Sequence, residues 1–171
     1  MEASFLGAYN RINRYLYFKT FFMVISQHFT LGELTRSDSA KRNGINNMPN
    51  AEQIENLKAL CEHILEPIRE EFRVPIYISS AYRSKEANRF VGGSKTSQHC
   101  RGEAADIDMD GHSHDITNKD IFDFIVAKLP FDQVINEFNY AWVHVSYKRN
   151  GPQRKQILRA VKNNSGGTIY L

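Results

Sequence analysis

Three stretches of the chain hold side chains that a hydrophobic core would not choose, at spacings that can assemble a metal site. In Ser97-Gln-His-Cys-Arg-Gly-Glu-Ala-Ala-Asp106, His99 and Asp106 lie seven residues apart, with Gly102 between them. A glycine there permits a sharp turn, so a loop histidine and a carboxylate on the following strand can face one ion. Imidazole nitrogen and carboxylate oxygen are both zinc donors, at about 2.0–2.2 Å. The small Ala104 and Ala105 let that strand lie close to its neighbours. In Trp142-Val-His-Val-Ser-Tyr147, the period-two alternation of a strand puts Trp142, His144 and Ser146 on one face and Val143, Val145 and Tyr147 on the other. His144 can then point into a cleft as a third ligand. A fourth position is left for water, which is the open arrangement of a catalytic zinc site. The third stretch is Ser79-Ser-Ala-Tyr-Arg-Ser84, where a strand gives way to a helix. Arg83 at that junction can reach over a cleft to hold a carboxylate or polarise a carbonyl. Spacing alone leaves other readings open: a lone histidine is more often a hydrogen-bonded structural residue, and Asp106 could equally cap a turn.

The elements that must position these residues are legible in outline. Asn50 with Gln53 forms a capping-box pattern. Ile54, Leu57, Leu60, Cys61, Ile64, Leu65, Ile68 and Phe72 then recur at helical spacing, and Pro67 predicts a kink or the start of a second piece. Pro75–Ser80 reads as a strand, Ser84 as the cap of a short helix ended by Gly92-Gly93, and Ala104–Asp108 as a strand. Asn118 is expected to cap a helix carrying Ile121, Phe122, Ile125, Val126 and Leu129. Two β-rich segments follow, Gln133–Phe138 and Trp142–Tyr147. Helices first, then short strands with one helix inserted, is an α+β order rather than a regularly alternating parallel one. Gln153–Lys162 can be a short basic helix or strand, with Asn163–Gly167 as a flexible turn before Thr168–Leu171.

Length and composition fit one globular domain: 171 residues, 42% hydrophobic and 24% charged. They exclude wholesale disorder, a collagen-like chain and a disulfide-dense mini-protein. The net charge of +3 is unevenly spread. Residues 1–26 are net +2, and 147–171 carry Lys148, Arg149, Arg154, Lys155, Arg159 and Lys162 with no acid, a net +6. Residues 27–146 hold 13 basic and 18 acidic residues, a net −5. Basic ends raise the question of a polyanion partner. The tail lacks the interleaved aromatics of a nucleic-acid platform, so no nucleic-acid partner is expected. Cys61 and Cys100 could form one bridge at most, and Cys61 on an apolar stripe reads as a buried thiol. The aromatic run Tyr15–Ile25 is too short to span a bilayer and is interrupted by Lys19, and no small-x-small cleavage site follows it. A packed helix or loose extension is the reading preferred there, with Met23 as an alternative start. His112 and His114 could hold a second metal but read better as part of an exposed loop.

Ser97-x-His99-x-x-Gly102-x-Ala104-x-Asp106, followed by Trp142-x-His144, resembles the M15 family of zinc peptidases, the D-Ala-D-Ala carboxypeptidase family. Ser80-Ala-Tyr-Arg-Ser84, Phe131-Asp-Gln-Val-Ile135 and Phe29-Thr-Leu-Gly-Glu-Leu-Thr-Arg-Ser37 resemble its small phage- and bacteria-associated branch. The likeness covers 29–161, which leaves 1–28 as an extension and 162–171 as a C-terminal tail. It implies a Hedgehog/DD-peptidase-like α+β fold, a small antiparallel sheet with flanking helices, and peptidoglycan stem peptides as substrate. It implies that His99, Asp106 and His144 bind one Zn²⁺, that Arg83 stabilises the scissile carbonyl and contacts substrate, and that Ser97 lies beside the substrate. One position departs from the pattern. Well-known branches carry an acidic general base three residues before the last histidine, where this chain has Ala141. Glu137, on a strand that a hairpin can return beside the metal, is assigned the role, with Asp132 as the substitute. The resulting expectation is a zinc peptidase, either a D-Ala-D-Ala carboxypeptidase or an endolysin-like endopeptidase acting at the bacterial wall. A non-catalytic zinc-containing wall-binding domain is the alternative, supported by the missing acid at Ala141.

Overall fold

A computed structural model describes residues 23–171. The extension expected at the start of the chain, its aromatic run up to residue 22 and the question of a leader lie outside the described residues. In chain order the elements are α1 (Leu31–Leu34), α2 (Asp38–Arg42), α3 (Ala51–Leu60), a π-helical turn (Cys61–Leu65), α4 (Glu66–Phe72), β1 (Ile78–Ser80), α5 (Lys85–Phe90), a 3-10 turn (Gln98–Arg101), β2 (Ala104–Ile107), α6 (Asn118–Lys128), β3 (Gln133–Glu137), β4 (Trp142–Ser146), β5 (Gln156–Lys162) and β6 (Thr168–Tyr170). The strands form one sheet in the order β1-β2-β4-β3-β5-β6. Among the described residues, no helix is long and apolar enough to cross a membrane.

The helical segment from 51 to 72 forms for the reasons its sequence advertises. Asn50 accepts from the Gln53 amide and Gln53 reaches back to the Asn50 amide. Leu57, Leu60, Cys61, Ile64, Leu65 and Ile68 are wholly buried along one stripe. Pro67 has no amide hydrogen and would collide with the carbonyl four residues back. The helix neither breaks nor ends there. It widens into the π-turn, in which the Glu66 amide donates to the Cys61 carbonyl, and so carries the proline without interruption.

The buried face of the sheet carries Ala105, Ile107, Val134, Val143 and Val145, in one core with the stripe above and with Ile121 and Ile125 of α6. The opposite face carries Asp106, His144, Ile135 and Glu137, so the alternation of each strand separates core from cleft. Both cysteines are free and buried.

Two expectations are corrected. The sheet is mixed rather than antiparallel: β3 pairs with β5 in parallel, because residues 147–155 carry the chain back to the starting end of β3. Thr168–Tyr170 then folds back as β6, antiparallel to β5. The cap of α6 is Thr117, whose hydroxyl oxygen accepts from the Asp120 amide, and Asn118 is the first helical residue. Asn118 is spent on a longer tether. Its Oδ1 accepts from the Met109 amide at 2.7 Å, and its Nδ2 donates to the Tyr140 and Ala141 carbonyls at 3.0 and 3.2 Å.

Candidate metal centre and active-site cleft

His99 sits in the 3-10 turn, Asp106 in β2 and His144 in β4, and each element is fixed by local chemistry. Gly102 closes the 3-10 turn at φ 73°. A Cβ there would lie 2.5 Å from the Gln53 carbonyl oxygen, so only glycine lets α3 approach. From α3, Gln53 donates to the Cys100 carbonyl at 3.0 Å and Asn56 to the Arg101 carbonyl at 2.8 Å. These bonds clamp the turn that carries His99 and meet the demand of buried carbonyls for partners. Asp106 and His144 are direct partners across the β2–β4 ladder.

His99, Asp106 and His144 offer one donor atom each, and these atoms lie within 4.8 Å of one another. His99 Nε2 is 3.2 Å and His144 Nδ1 is 2.9 Å from the same oxygen, Asp106 Oδ1. His99 Nδ1 lies 2.6 Å from the Ala81 carbonyl, which can only accept, so that nitrogen is the protonated donor. In neutral His99 the Nε2 lone pair therefore faces a carboxylate oxygen, an arrangement that repels unless a cation lies between them. Two imidazoles and one carboxylate converging in this way are a donor set that fits zinc. Burial raises the Asp106 carboxyl, but the positive charge and hydrogen bonds of the His99 and His144 rings, where protonated, outweigh it and hold the group well below the usual carboxylate range.

The same residues line a cleft of about 720 Å³. Arg83 enters it from the loop after β1, with Nη2 3.8 Å from Asp106 Oδ2. Its backbone amide donates to the His99 carbonyl at 3.2 Å. Asn47 fixes this loop by donating to the Tyr82 carbonyl and accepting from the Ser84 amide. Ser97, immediately before the 3-10 turn, lines the cleft as well.

Glu137 ends β3 and shares the cleft face with His144, pairing directly with Trp142. It is 7% exposed, and burial pushes its carboxyl above the ordinary range; His144 and Lys162 oppose that rise and Asp106 adds to it. The turn joining β3 to β4 is left-handed at Phe138, Asn139 and Tyr140, all with positive φ. Asn136 holds it by accepting from the Tyr140 amide at 2.6 Å. Ala141 lies at the end of this turn, where Glu137 and Ala141 are joined by a backbone bond of 2.9 Å.

Asp132 is excluded as the substitute base. It is fully buried and already bonded by Gln98 Nε2 at 2.9 Å, by Lys148 Nζ at 3.1 Å and by the Arg154 guanidinium through both oxygens. Burial opposes ionisation, yet Arg154 and Lys148 hold its carboxyl well below the usual range. His112 and His114 stack with Tyr77 away from the cleft. The only triad of metal donors found among the described residues is the one formed by His99, Asp106 and His144.

Sequence reasoning missed Gln53, Asn56, Asn47 and Asn118 as organisers of the site. Their common signal is an amide side chain placed to satisfy loop carbonyls, which only the tertiary structure identifies. No curated protein matches the chain. The model of the peptidase M15 family matches residues 27–146, a stretch that contains every residue of the cluster together with Arg83, Ser97 and Glu137, and the chain belongs to that family.

Proposed function

We propose that this protein is a zinc-dependent peptidase that hydrolyses peptide bonds of bacterial peptidoglycan, on a fold of the Hedgehog/DD-peptidase type. The observation that carries the reading is the convergence of His99, Asp106 and His144 donors on one point of a cleft that also contains a buried carboxylate, Glu137. A Zn²⁺ held by those three side chains would supply Lewis acidity to a peptide carbonyl and would lower the pKa of a water molecule towards neutrality.

The chain's own residues do the rest. Glu137 takes the proton of the attacking water on its carboxylate and delivers it to the departing amine. Its burial favours proton uptake at that stage. The Arg83 guanidinium stabilises the charge that develops on the carbonyl oxygen, a contribution of about 3–4 kcal/mol for a preorganised donor. Ser97, on the wall of the cleft, holds the peptide. The acid that other branches carry at the position of Ala141 is replaced from across the ladder: Glu137 and His144 lie on neighbouring strands and on one face.

Two measurements test this. The purified protein should carry about one zinc per chain, lost from a His144→Ala variant. Incubation with peptidoglycan should release fragments that mass spectrometry identifies, and a chelator should stop the release. Glu137→Gln should keep the metal and lose hydrolysis. Retained hydrolysis in that variant would remove Glu137 as base, and intact walls of several chemotypes with the zinc-loaded protein would favour the non-catalytic binding domain.

A further inference from the structure

The cleft extends beyond the metal centre, and its far wall is built by residues that follow the stretch matching the family. Lys148, Arg154, Leu158, Lys162, Thr168 and Tyr170 all line it, and all lie after residue 146. Parallel pairing of β5 to β3 and the return of β6 bring them there. Across the sheet, Ile135 is level with His144 and Leu158 with Ile135, while Ala160 is level with Glu137 and Tyr170 with Ala160. The floor leading away from the metal ligands is therefore apolar, over Ile135 and Leu158. β5 lies two strands from β4, roughly 10 Å at the usual spacing, which is about three residues of extended peptide.

The cations around this cleft are not equivalent. Arg154 and Lys148 are committed to Asp132, Arg101 to Glu103, and Arg83 faces Asp106. Lys162 differs. Its ammonium lies 4.7 Å from the centre of the Phe138 ring and 3.3 Å from the Thr168 hydroxyl, and it makes no ion pair among the described residues. Tyr170 lines the same wall about half exposed, and its phenol O–H can donate. An ammonium, a hydroxyl and a phenol at the end of an apolar floor suit an anionic oxygen ligand.

We propose that the β5–β6 hairpin is the specificity element of this peptidase, with Lys162, Thr168 and Tyr170 forming a subsite for a free carboxylate of the bound peptide. The inference rests on the proposed wall-peptide substrate and refines it: stem peptides whose D-glutamate carries a free α-carboxylate are preferred over those in which it is amidated. Lys162 is the principal determinant, and Thr168 and Tyr170 orient the carboxylate.

The test uses the full chain and two synthetic pentapeptides, L-Ala-γ-D-Glu-L-Lys-D-Ala-D-Ala and its D-glutamate α-amide. Trp142, the single tryptophan, lines the cleft and reports binding by fluorescence in chelated protein, where no turnover occurs. The free acid should bind about five-fold more tightly, the scale of a partly exposed ion pair. Lys162→Gln should erase that preference by weakening binding of the free acid, whereas Lys162→Arg should keep it. In zinc-loaded protein the preference should enter KM and leave kcat alone. Equal binding of the two peptides, or a preference that survives Lys162→Gln, overturns the subsite. Preferential binding without any hydrolysis overturns the peptidase reading and leaves the subsite standing. Hydrolysis without discrimination does the reverse.

Discussion

Asp132 offers a direct test of which carboxylates build the site and which work in it. Replacing it by asparagine keeps the shape and removes the charge. In the wild-type protein the carboxylate accepts from Gln98, from the Arg154 backbone and guanidinium, and from Lys148, with no exposure of its own. Removing one partner of a buried ion pair costs about 3–5 kcal/mol. Here the side chains of Arg154 and Lys148 are 46% and 29% exposed, so the freed cations can turn towards water and recover part of that loss. A net destabilisation of about 2–3 kcal/mol follows, or roughly 5–10 °C in Tm for a chain of this size. The carboxyl is held below its ordinary range, so the stabilisation is complete above its unfolded-state pKa of about 4 and is lost as pH falls below it. Thermal unfolding of wild type and Asp132→Asn at pH 7 and pH 3 should show a large gap that narrows in acid. A gap under about 2 °C at pH 7, or one that does not shrink at pH 3, would refute the assignment of Asp132 as a structural hub.

Three further outcomes are expected. Gly102→Ala adds a Cβ 2.5 Å from the Gln53 carbonyl oxygen at a left-handed position, and should cost about 2–4 kcal/mol in denaturant unfolding. In chelated protein, Glu137→Gln should be more stable than wild type at pH 7.5 and nearly equal at pH 4.5. The raised native pKa of Glu137 means that wild type loses stability as pH rises through it. The Cys61 thiol, wholly buried and pushed up to about 12, should resist a thiol reagent at pH 8 until denaturant is added, and rapid native labelling would contradict its burial.

What could be read before the fold was known followed the range of the interaction. The helix from Ala51 onward announces itself because its cap and its stripe are local. The accommodation of Pro67 does not, since a π-turn and a break follow from the same residue. Thr117 and Asn118 are both good caps. The choice between them is made by the carbonyls of Tyr140 and Ala141, which Asn118 reaches more than twenty residues away. His99, Asp106 and His144 stand out by type and by resemblance, and the β2–β4 register brings the last two side by side. Glu137 could be proposed only on the assumption of a hairpin. The basic tail was the least legible part. Its charge suggested a surface, whereas Lys148 and Arg154 are used on Asp132 and Lys155 donates to the Leu129 carbonyl at 2.6 Å.

The parallel seam between β3 and β5 also bears on the order in which the protein can be assembled. β3 carries Glu137 and is bonded on one side to β4, formed almost immediately after it, and on the other to Gln156–Lys162. Until that later stretch has been synthesised and has crossed back, β3 exposes an unpaired edge beside the cluster of His99, Asp106 and His144. Such an edge invites pairing with other chains. A nascent or truncated chain that stops before β5 can thus hold His99, Asp106, His144 and Glu137 and still leave one side of β3 unpaired and one wall of the cleft unbuilt.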